Sequence, residues 1–242
     1  MRSALFAVVT AFLLLCSGFA QVPSIVESGA LQADTHSWRK VLRNQSPSSL
    51  VAYTVGCSPK NGLTIISDAL IDGGSLVEPG KSIEAQVNEP SRCEAGLHAA
   101  IFSDGHTEGE PEFVNELFAY RRGAYQALGD SIKLLGSVYT QHVPIADIVS
   151  KLEAEQKSTL QKMTQESGGY NAVLFQISGA LSEPNVVWRS PPEYQGQKQQ
   201  LPSIEAVMTT KGVSRDEARV MILNTRLRAW QSLLANNLQP HQ

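Results

Sequence analysis

The sequence predicts an α+β fold in which an N-terminal antiparallel β-sandwich is followed by a helical C-terminal region. Three observations lead to this prediction. Residues 38 to 105 contain short apolar and β-branched runs separated by turn-forming residues, which is typical of a small sandwich. After Gly109 the apolar residues recur at intervals of three and four, which indicates amphipathic helices. Near the C-terminus, Ser214 and Glu217 form the pattern of a capping box before a further helix.

The first 20 residues have the pattern of a signal peptide. Arg2 provides a positive charge, residues 5–15 are almost wholly apolar, and Gly18 and Ala20 supply the small residues that precede a cleavage site. A transmembrane anchor is the alternative, but this apolar run is shorter than the roughly 20 residues that span a bilayer. We therefore expect a secreted or periplasmic protein that begins at Gln21 and has no membrane span after cleavage.

The charge balance of the chain argues against two classes of partner. Lys and Arg number 20 and Asp and Glu number 23, which gives a formal net charge of −3 at pH 7. A nucleic-acid-binding protein usually carries a basic excess, and a membrane-surface protein usually has a basic amphipathic face. We expect neither kind of binding. The 242 residues are enough for one large domain or two small ones.

Two cysteines remain once the leader, which contains Cys16, has been removed. Cys57 and Cys93 each belong to the alternating apolar set of a predicted strand, so both sulfur atoms are expected to face a core. Because the cysteines of exported proteins most often pair, we predict a disulfide between Cys57 and Cys93. Two free buried thiols remain the alternative.

The predicted strands follow one another along the chain, and turn-forming clusters separate them. Pro79 and Gly80 occupy the positions that a type II turn requires. A first strand is expected within residues 23–31. The other predicted strands are 38–42, 50–57, 63–71, 83–87 and 97–102.

Three segments of the predicted sandwich carry a family resemblance. They are the VLRNQSPSSLVAYTV opening, the LVEPGKSIEAQV hairpin, and AAIFSDGHTEGEPEFVNELFAYRRG, which runs from the last strand into a helix. With these segments, residues 36 to about 122 resemble the immunoglobulin-like domain of uncharacterised secreted bacterial proteins. The resemblance implies an immunoglobulin-like β-sandwich in an exported protein. It implies no established activity and no functional residues.

From residue 110 onward the sequence predicts helices. Pro111 lies in the first turn of a long amphipathic helix, flanked by acidic residues that favour a helix N-terminus. Arg121 and Arg122 are expected on the exposed side of this helix, paired with Glu112 or Glu116. Residues 145–163 are predicted to form a second helix, and residues 170–181 a third, with a strand as the alternative for the third.

The chain is therefore predicted to divide into five segments. The spacing of apolar residues after Ser214 predicts a last helix with one buried face. The segments are a signal peptide at 1–20, the immunoglobulin-like sandwich at 21–110, long amphipathic helices at 111–181, a polar Pro/Gln-rich loop at 182–202, and C-terminal helices at 203–242.

One cluster of residue types suggests a metal site, although its spacing matches no established metal-binding loop. The weak candidate ligands are His98, Asp104, His106 and Glu108, with Glu110 and Glu112 close by in the sequence. A solvated acidic connection between the last strand and the first long helix explains the same residues. We therefore predict no metal and no cofactor.

No catalytic residues can be assigned from the sequence. The chain lacks a Gly-x-Ser-x-Gly motif, and its serines and five histidines form no recognisable constellation. Residues 204–227 imitate a helix-turn-helix, but export and the acidic net charge argue against DNA binding.

The sequence favours a non-catalytic secreted or periplasmic module that binds another protein or an envelope component without a cofactor. Its strand edges, its end loops and the apolar stripe of the long helix are the candidate surfaces. The alternative is a secreted hydrolase or metal-dependent enzyme whose site lies between the sandwich and the helices. The sequence does not indicate an oligomeric state.

Overall fold

The computed structural model describes residues 23–34, 37–56, 64–88, 96–162, 164–182 and 201–239. Within these ranges the chain forms seven strands in two antiparallel sheets and six helices, which confirms the predicted mixture of α and β structure. The strands are β1 Ile25–Asp34, β2 Ser37–Asn44, β3 Leu50–Gly56, β4 Thr64–Asp68, β5 Ser82–Asn88, β6 Gly96–Phe102 and β7 Thr107–Gly109. The helices are α1 Ala69–Asp72, α2 Pro111–Gln141, α3 Ile145–Leu160, α4 Gln165–Ser182, α5 Ile204–Lys211 and α6 Arg215–Ala235.

The two central strands of the four-stranded sheet, β3 and β6, are buried on both faces. The strand order of this sheet is β4-β3-β6-β7, and the other sheet has the order β1-β2-β5. One face shares a hydrophobic cluster with the smaller sheet, in which Leu42 meets Tyr53 and Phe102. The opposite face packs Ala52 and Ile101 against the first turns of α2.

The sequence pattern predicts that each central strand buries only its alternating apolar residues. This prediction is wrong, because both faces of these strands are buried. All seven residues of β3 are buried, because helices cover the face that the sequence pattern left to solvent. Register shifts in the pairing of β3 with β6 further break the simple alternation. Gly56 pairs with Gly96 at the end of this ladder. Cys57 and Cys93 lie outside the described residues, so their pairing stays a prediction.

The predicted strand at 63–71 is wrong in its last three residues, which are helical. The strand β4 ends at Asp68, whose Oδ1 accepts a hydrogen bond from the backbone N–H of Leu70 at 2.9 Å and so caps the one-turn helix α1. Gly73, with φ 73°, ends this turn.

The type II turn predicted at Pro79 and Gly80 is confirmed, since Gly80 has φ 76° and the N–H of Lys81 donates to the carbonyl of Glu78 at 3.0 Å.

The edges of the two sheets contain strands that the sequence indicated less well. The expected first strand exists as β1, although it runs to Asp34. The short strand β7 pairs with β6 where we expected only a solvated connection.

The predicted helices are largely confirmed. The long helix is α2, the segment 170–181 is helical within α4, and the capping box between Ser214 and Glu217 begins α6. The helix α3 ends at Leu160, three residues before its predicted end.

The apolar stripe of α2 is buried against α4, α6 and the sheet, so it is not the open docking surface that the sequence allowed. No helix among the described residues is both long and apolar enough to cross a membrane.

The helices α2 and α4 touch backbone to backbone at two glycines. A Cβ atom on Gly123 would lie 1.8 Å from the carbonyl oxygen of Glu166, and one on Gly169 would lie 1.9 Å from that of Tyr120. No side chain can occupy such a gap, so the crossing requires glycine on both helices.

We predict that Gly123→Ala and Gly169→Ala each lower the free energy of unfolding by about 1–3 kcal/mol, because the added methyl group forces the helices apart. Urea denaturation followed by circular dichroism would measure the loss. Gly179→Ala is the matched control on α4: a Cβ there meets nothing within 4 Å, so this substitution should stabilise the protein slightly. Equal effects at all three positions would contradict the close approach.

Candidate functional site

A buried ion pair joins the sheets to the helices. Arg121 is 1% exposed and Asp68 is 0% exposed, and Arg121 Nε donates a hydrogen bond to Asp68 Oδ2 at 2.6 Å. Arg121 Nη1 also donates to the backbone carbonyl of Asn237, beyond the end of α6, at 3.1 Å. The predicted exposed pairing of Arg121 with Glu112 or Glu116 is therefore wrong, because this side of α2 faces the sheet.

A second carboxylate lies beside this pair. Asp72 accepts hydrogen bonds from the backbone N–H of Asp68 at 2.8 Å and from the hydroxyl of Tyr120 at 3.1 Å. Desolvation by the surrounding protein raises the pKa of Asp72 towards about 6, and the negative charge of Asp68 adds to the rise, while exposure of Asp72 to solvent screens both effects. The pKa of Tyr120 is also raised, first by burial and then by the charge of Asp72. We call Asp68, Asp72, Tyr120 and Arg121 the sheet–helix junction.

The sheet–helix junction occupies the region where the enzyme alternative places a site, but its polar atoms are engaged in holding the fold. Trp230 Nε1 on α6 donates to the carbonyl of Leu70 at 2.6 Å, and Gln176 Nε2 on α4 donates to that of Ile71 at 2.6 Å. Both oxygens of Asp68 and both oxygens of Asp72 accept hydrogen bonds. These contacts connect α1 to three helices.

His98, the first candidate metal ligand, uses both ring nitrogens within the protein. Its Nε2 donates to the carbonyl of Gly56 at 2.9 Å, and its Nδ1 lies 3.1 Å from Oε1 of Glu110. The imidazole also stacks on Phe113, with 4.2 Å between the ring centroids. Neither nitrogen faces an open position.

The other three candidate ligands lie together on the hairpin between β6 and β7. His106 Nδ1 is 2.5 Å from Asp104 Oδ1, and His106 Nε2 is 3.6 Å from Glu108 Oε1. Ser48 donates to Asp104 at 2.6 Å and so lowers the pKa of Asp104 to about 2. Ser24 donates to Glu108 through both its N–H and its hydroxyl.

These contacts give the hairpin a structural role, since they attach it to the start of β1 and to the turn after β2. Glu112 is separate from them, exposed in the first turn of α2. Within the described residues, no group of three or more His, Cys, Asp and Glu side chains is arranged to hold a metal ion.

A cavity of about 340 Å³ opens between α2, α5 and α6. We call it the C-terminal pocket. Gly212, with φ 65°, ends α5, and the capping box at Ser214 begins α6, so the two helices form a hairpin that closes on the end of α2. The residues lining the pocket are Tyr139, Pro202, Ala206, Val207, Thr210, Lys211, Met221, Ile222, Asn224, Thr225 and Arg228.

One lining residue, Asn224, has an unsatisfied polar atom. It is 2% exposed, and its Nδ2 donates to the hydroxyl of Tyr139 at 2.8 Å and to the carbonyl of Ile132 at 3.2 Å. Its Oδ1 is buried and accepts no hydrogen bond from any described residue. An unpaired buried carbonyl costs about 1–3 kcal/mol, and this oxygen is enclosed by protein rather than open to the cavity.

The polar groups of the pocket lining are hydroxyls, an amide and two cations. The described residues that line it include no histidine, cysteine, serine or carboxylate. Thr225, which does line it, already donates its hydroxyl to the carbonyl of Met221 at 3.0 Å.

The sequence pattern gives little sign of this pocket. Its one local signal is Asn224, which follows Leu223 within the apolar stripe of α6 formed by Val220, Leu223, Leu227 and Trp230. A polar residue inside such a stripe indicates a hydrogen-bonding role. The partners of that residue lie on α2 and cannot be read from α6.

We predict that Arg121→Met lowers the free energy of unfolding by about 3–5 kcal/mol, because it leaves the carboxylate of Asp68 buried without a counter-charge. Adding Asp68→Asn to this variant should restore part of the loss, since the amide carries no charge and can still cap α1. Arg122→Met, at an exposed neighbouring position, is the control and should change stability by less than about 0.5 kcal/mol. A double variant no more stable than Arg121→Met would contradict the ion-pair account.

The raised pKa of Asp72 predicts a pH dependence. The folded protein holds this proton more tightly than the unfolded chain, so the contribution of Asp72 to stability falls as the pH rises from about 4 to about 6. Across this interval Asp72→Asn should therefore become steadily more stable relative to the wild type, with no further change above it. Urea titrations at several pH values would test this, with Asp147→Asn on α3 as the control. Parallel stability curves for the wild type and Asp72→Asn would refute it.

Comparisons with known proteins offer no counterpart for the C-terminal pocket. The chain matches no family model, no curated protein and no solved structure. Its function is therefore inferred from its own residues.

Proposed function

We propose that this protein is a non-catalytic binding module whose ligand site is the C-terminal pocket. The observation that carries the proposal is a cavity of about 340 Å³ whose walls combine the apolar side chains of Val207, Met221 and Ile222 with a few polar groups. Pockets that bind small molecules typically measure about 300–1,000 Å³ and combine apolar walls with a few polar groups. This pocket has that composition.

The walls of the pocket define the chemistry of the ligand. Val207, Met221 and Ile222 offer apolar surface from two helices. At the polar end, the hydroxyl of Tyr139, which accepts from Asn224 Nδ2, retains its own hydrogen as a donor. A ligand with a compact apolar body and a hydroxyl or carbonyl oxygen matches these walls. An envelope component with such a portion is the ligand that we propose.

The compartment belongs to the same proposal. The signal-peptide pattern of residues 1–20 and the pair of cysteines support a secreted or periplasmic protein. We further propose that the two sheets form an immunoglobulin-like sandwich that serves as the scaffold for the helices. The shared hydrophobic cluster between the sheets supports this interpretation.

The pocket is preferred over the other candidate sites for physical reasons. The apolar stripe of α2 is covered by other parts of the chain. The carboxylates of the sheet–helix junction are fully engaged in hydrogen bonds, so no observation favours the hydrolase or metal-dependent enzyme.

Ligand-observed NMR with octan-1-ol as the probe would test the proposed function. We predict saturation transfer from the wild type to the probe, because octan-1-ol combines an apolar chain with one hydroxyl group. Ala206→Trp on α5 and Met221→Trp on α6 place a bulky ring on opposite walls of the pocket and should abolish the signal. Ala154→Trp on the exposed side of α3 is the matched control and should leave it unchanged.

Circular dichroism would first establish that each variant is folded. Binding by both pocket variants at the level of the wild type would contradict the proposal. Absence of binding to the wild type would do the same.

A further inference from the structure

We infer that the C-terminal pocket selects an amphipathic anion, whose charged head group contacts Arg228 and Lys211 at the opening. This inference rests on the proposed function, since it names the class of ligand for the same pocket. It adds a charge preference that an apolar pocket alone does not have.

The first argument is the charge of the lining. Lys211 is the last residue of α5 and Arg228 lies on α6, so the two cations come from different walls. The described residues that line the pocket include no carboxylate. Two cations without a lining counter-charge attract an anion, and arginine can bind a carboxylate or a phosphate through two hydrogen bonds.

The second argument is the lack of ion pairs at these two side chains. Within the described part of the chain, neither Lys211 nor Arg228 has an acidic side chain within ion-pair distance. Elsewhere on α6, Arg219 lies 3.5 Å from Asp216. Among the described residues, therefore, no carboxylate competes with a ligand for these two cations.

The third argument is the direction of polarity along α6. Asn224 and Arg228 are four positions apart, so they lie on the same face of the helix, separated by about one turn. Asn224 is buried and Arg228 is exposed, so the charged end of the pocket lies at its opening. A matching ligand carries an anionic group at one end of an apolar body.

Four probes with the same eight-carbon chain would test the inference. Octanoate and octyl phosphate are anions, octan-1-ol is neutral, and octyltrimethylammonium is a cation. We predict that at least one anion binds the wild type about tenfold more tightly than octan-1-ol, and that the cation binds most weakly. The preferred anion distinguishes a carboxylate ligand from a phosphate ligand. Raising the salt concentration should narrow the difference, because the cations are exposed.

Charge-removing variants would assign the preference to specific residues. Arg228→Gln should weaken binding of the preferred anion about tenfold, a clearly larger factor than its effect on octan-1-ol, and Lys211→Gln should act in the same direction. Arg215→Gln removes an exposed cation from the first position of α6, outside the pocket lining, and is the matched control.

The outcomes separate this inference from the proposed function. If all four probes bind equally and the tryptophan variants abolish binding, the charge preference is refuted while the pocket remains a binding site. If the cation binds most tightly, or if Arg228→Gln and Lys211→Gln bind the anion like the wild type, the inference also fails. If no probe binds the wild type, the proposed function fails and the inference fails with it.

Discussion

The architecture depends on the ion pair between Asp68 and Arg121. Neither charge has access to solvent, so each is tolerated only with the other in place. Asp68 ends the strand β4 and caps the helix α1, whereas Arg121 belongs to α2 and also holds the carbonyl of Asn237 beyond α6. Packing α2 against the sheet is therefore coupled to the positions of α1 and of the C-terminal residues.

This constraint also positions the walls of the C-terminal pocket. The helix α6 is attached near its C-terminal end by Trp230, which donates to the carbonyl of Leu70, and near its start by Glu217, which lies 2.9 Å from His142 at the end of α2. Its middle, which carries Asn224, is thus held beside the last turns of α2. The helix α5 packs chiefly against α6, and the cavity opens where these three helices meet without filling the space.

Whether the sequence predicts an element depends on how far apart in the chain the residues that define it lie. The periodicity of α2 and the capping box of α6 are local, so the sequence predicts them correctly. The end of β4 at Asp68 depends on a cap within an apolar run, and the two-sided burial of β3 depends on helices that come much later in the chain. Arg121 was expected on the surface for the same reason, because its partner Asp68 is distant in sequence. The pocket is formed by three segments that are separate in the sequence, and within those segments the position of Asn224 is the local signal that indicates it.

Buried polar atoms without partners are not unique to the pocket, so the interpretation rests on a combination of features. Thr54 and Ser131 also have unpaired buried hydroxyl groups, and the amide of Asn171 is unpaired at both atoms. A hydroxyl can rotate towards a carbonyl of its own backbone, whereas the carbonyl oxygen of an amide depends on a donor from elsewhere. Of the two amides, only Asn224 lines the C-terminal pocket, where the described lining combines apolar walls with two cations and no carboxylate. This combination of cavity and charge is what the proposed site for an amphipathic anion requires.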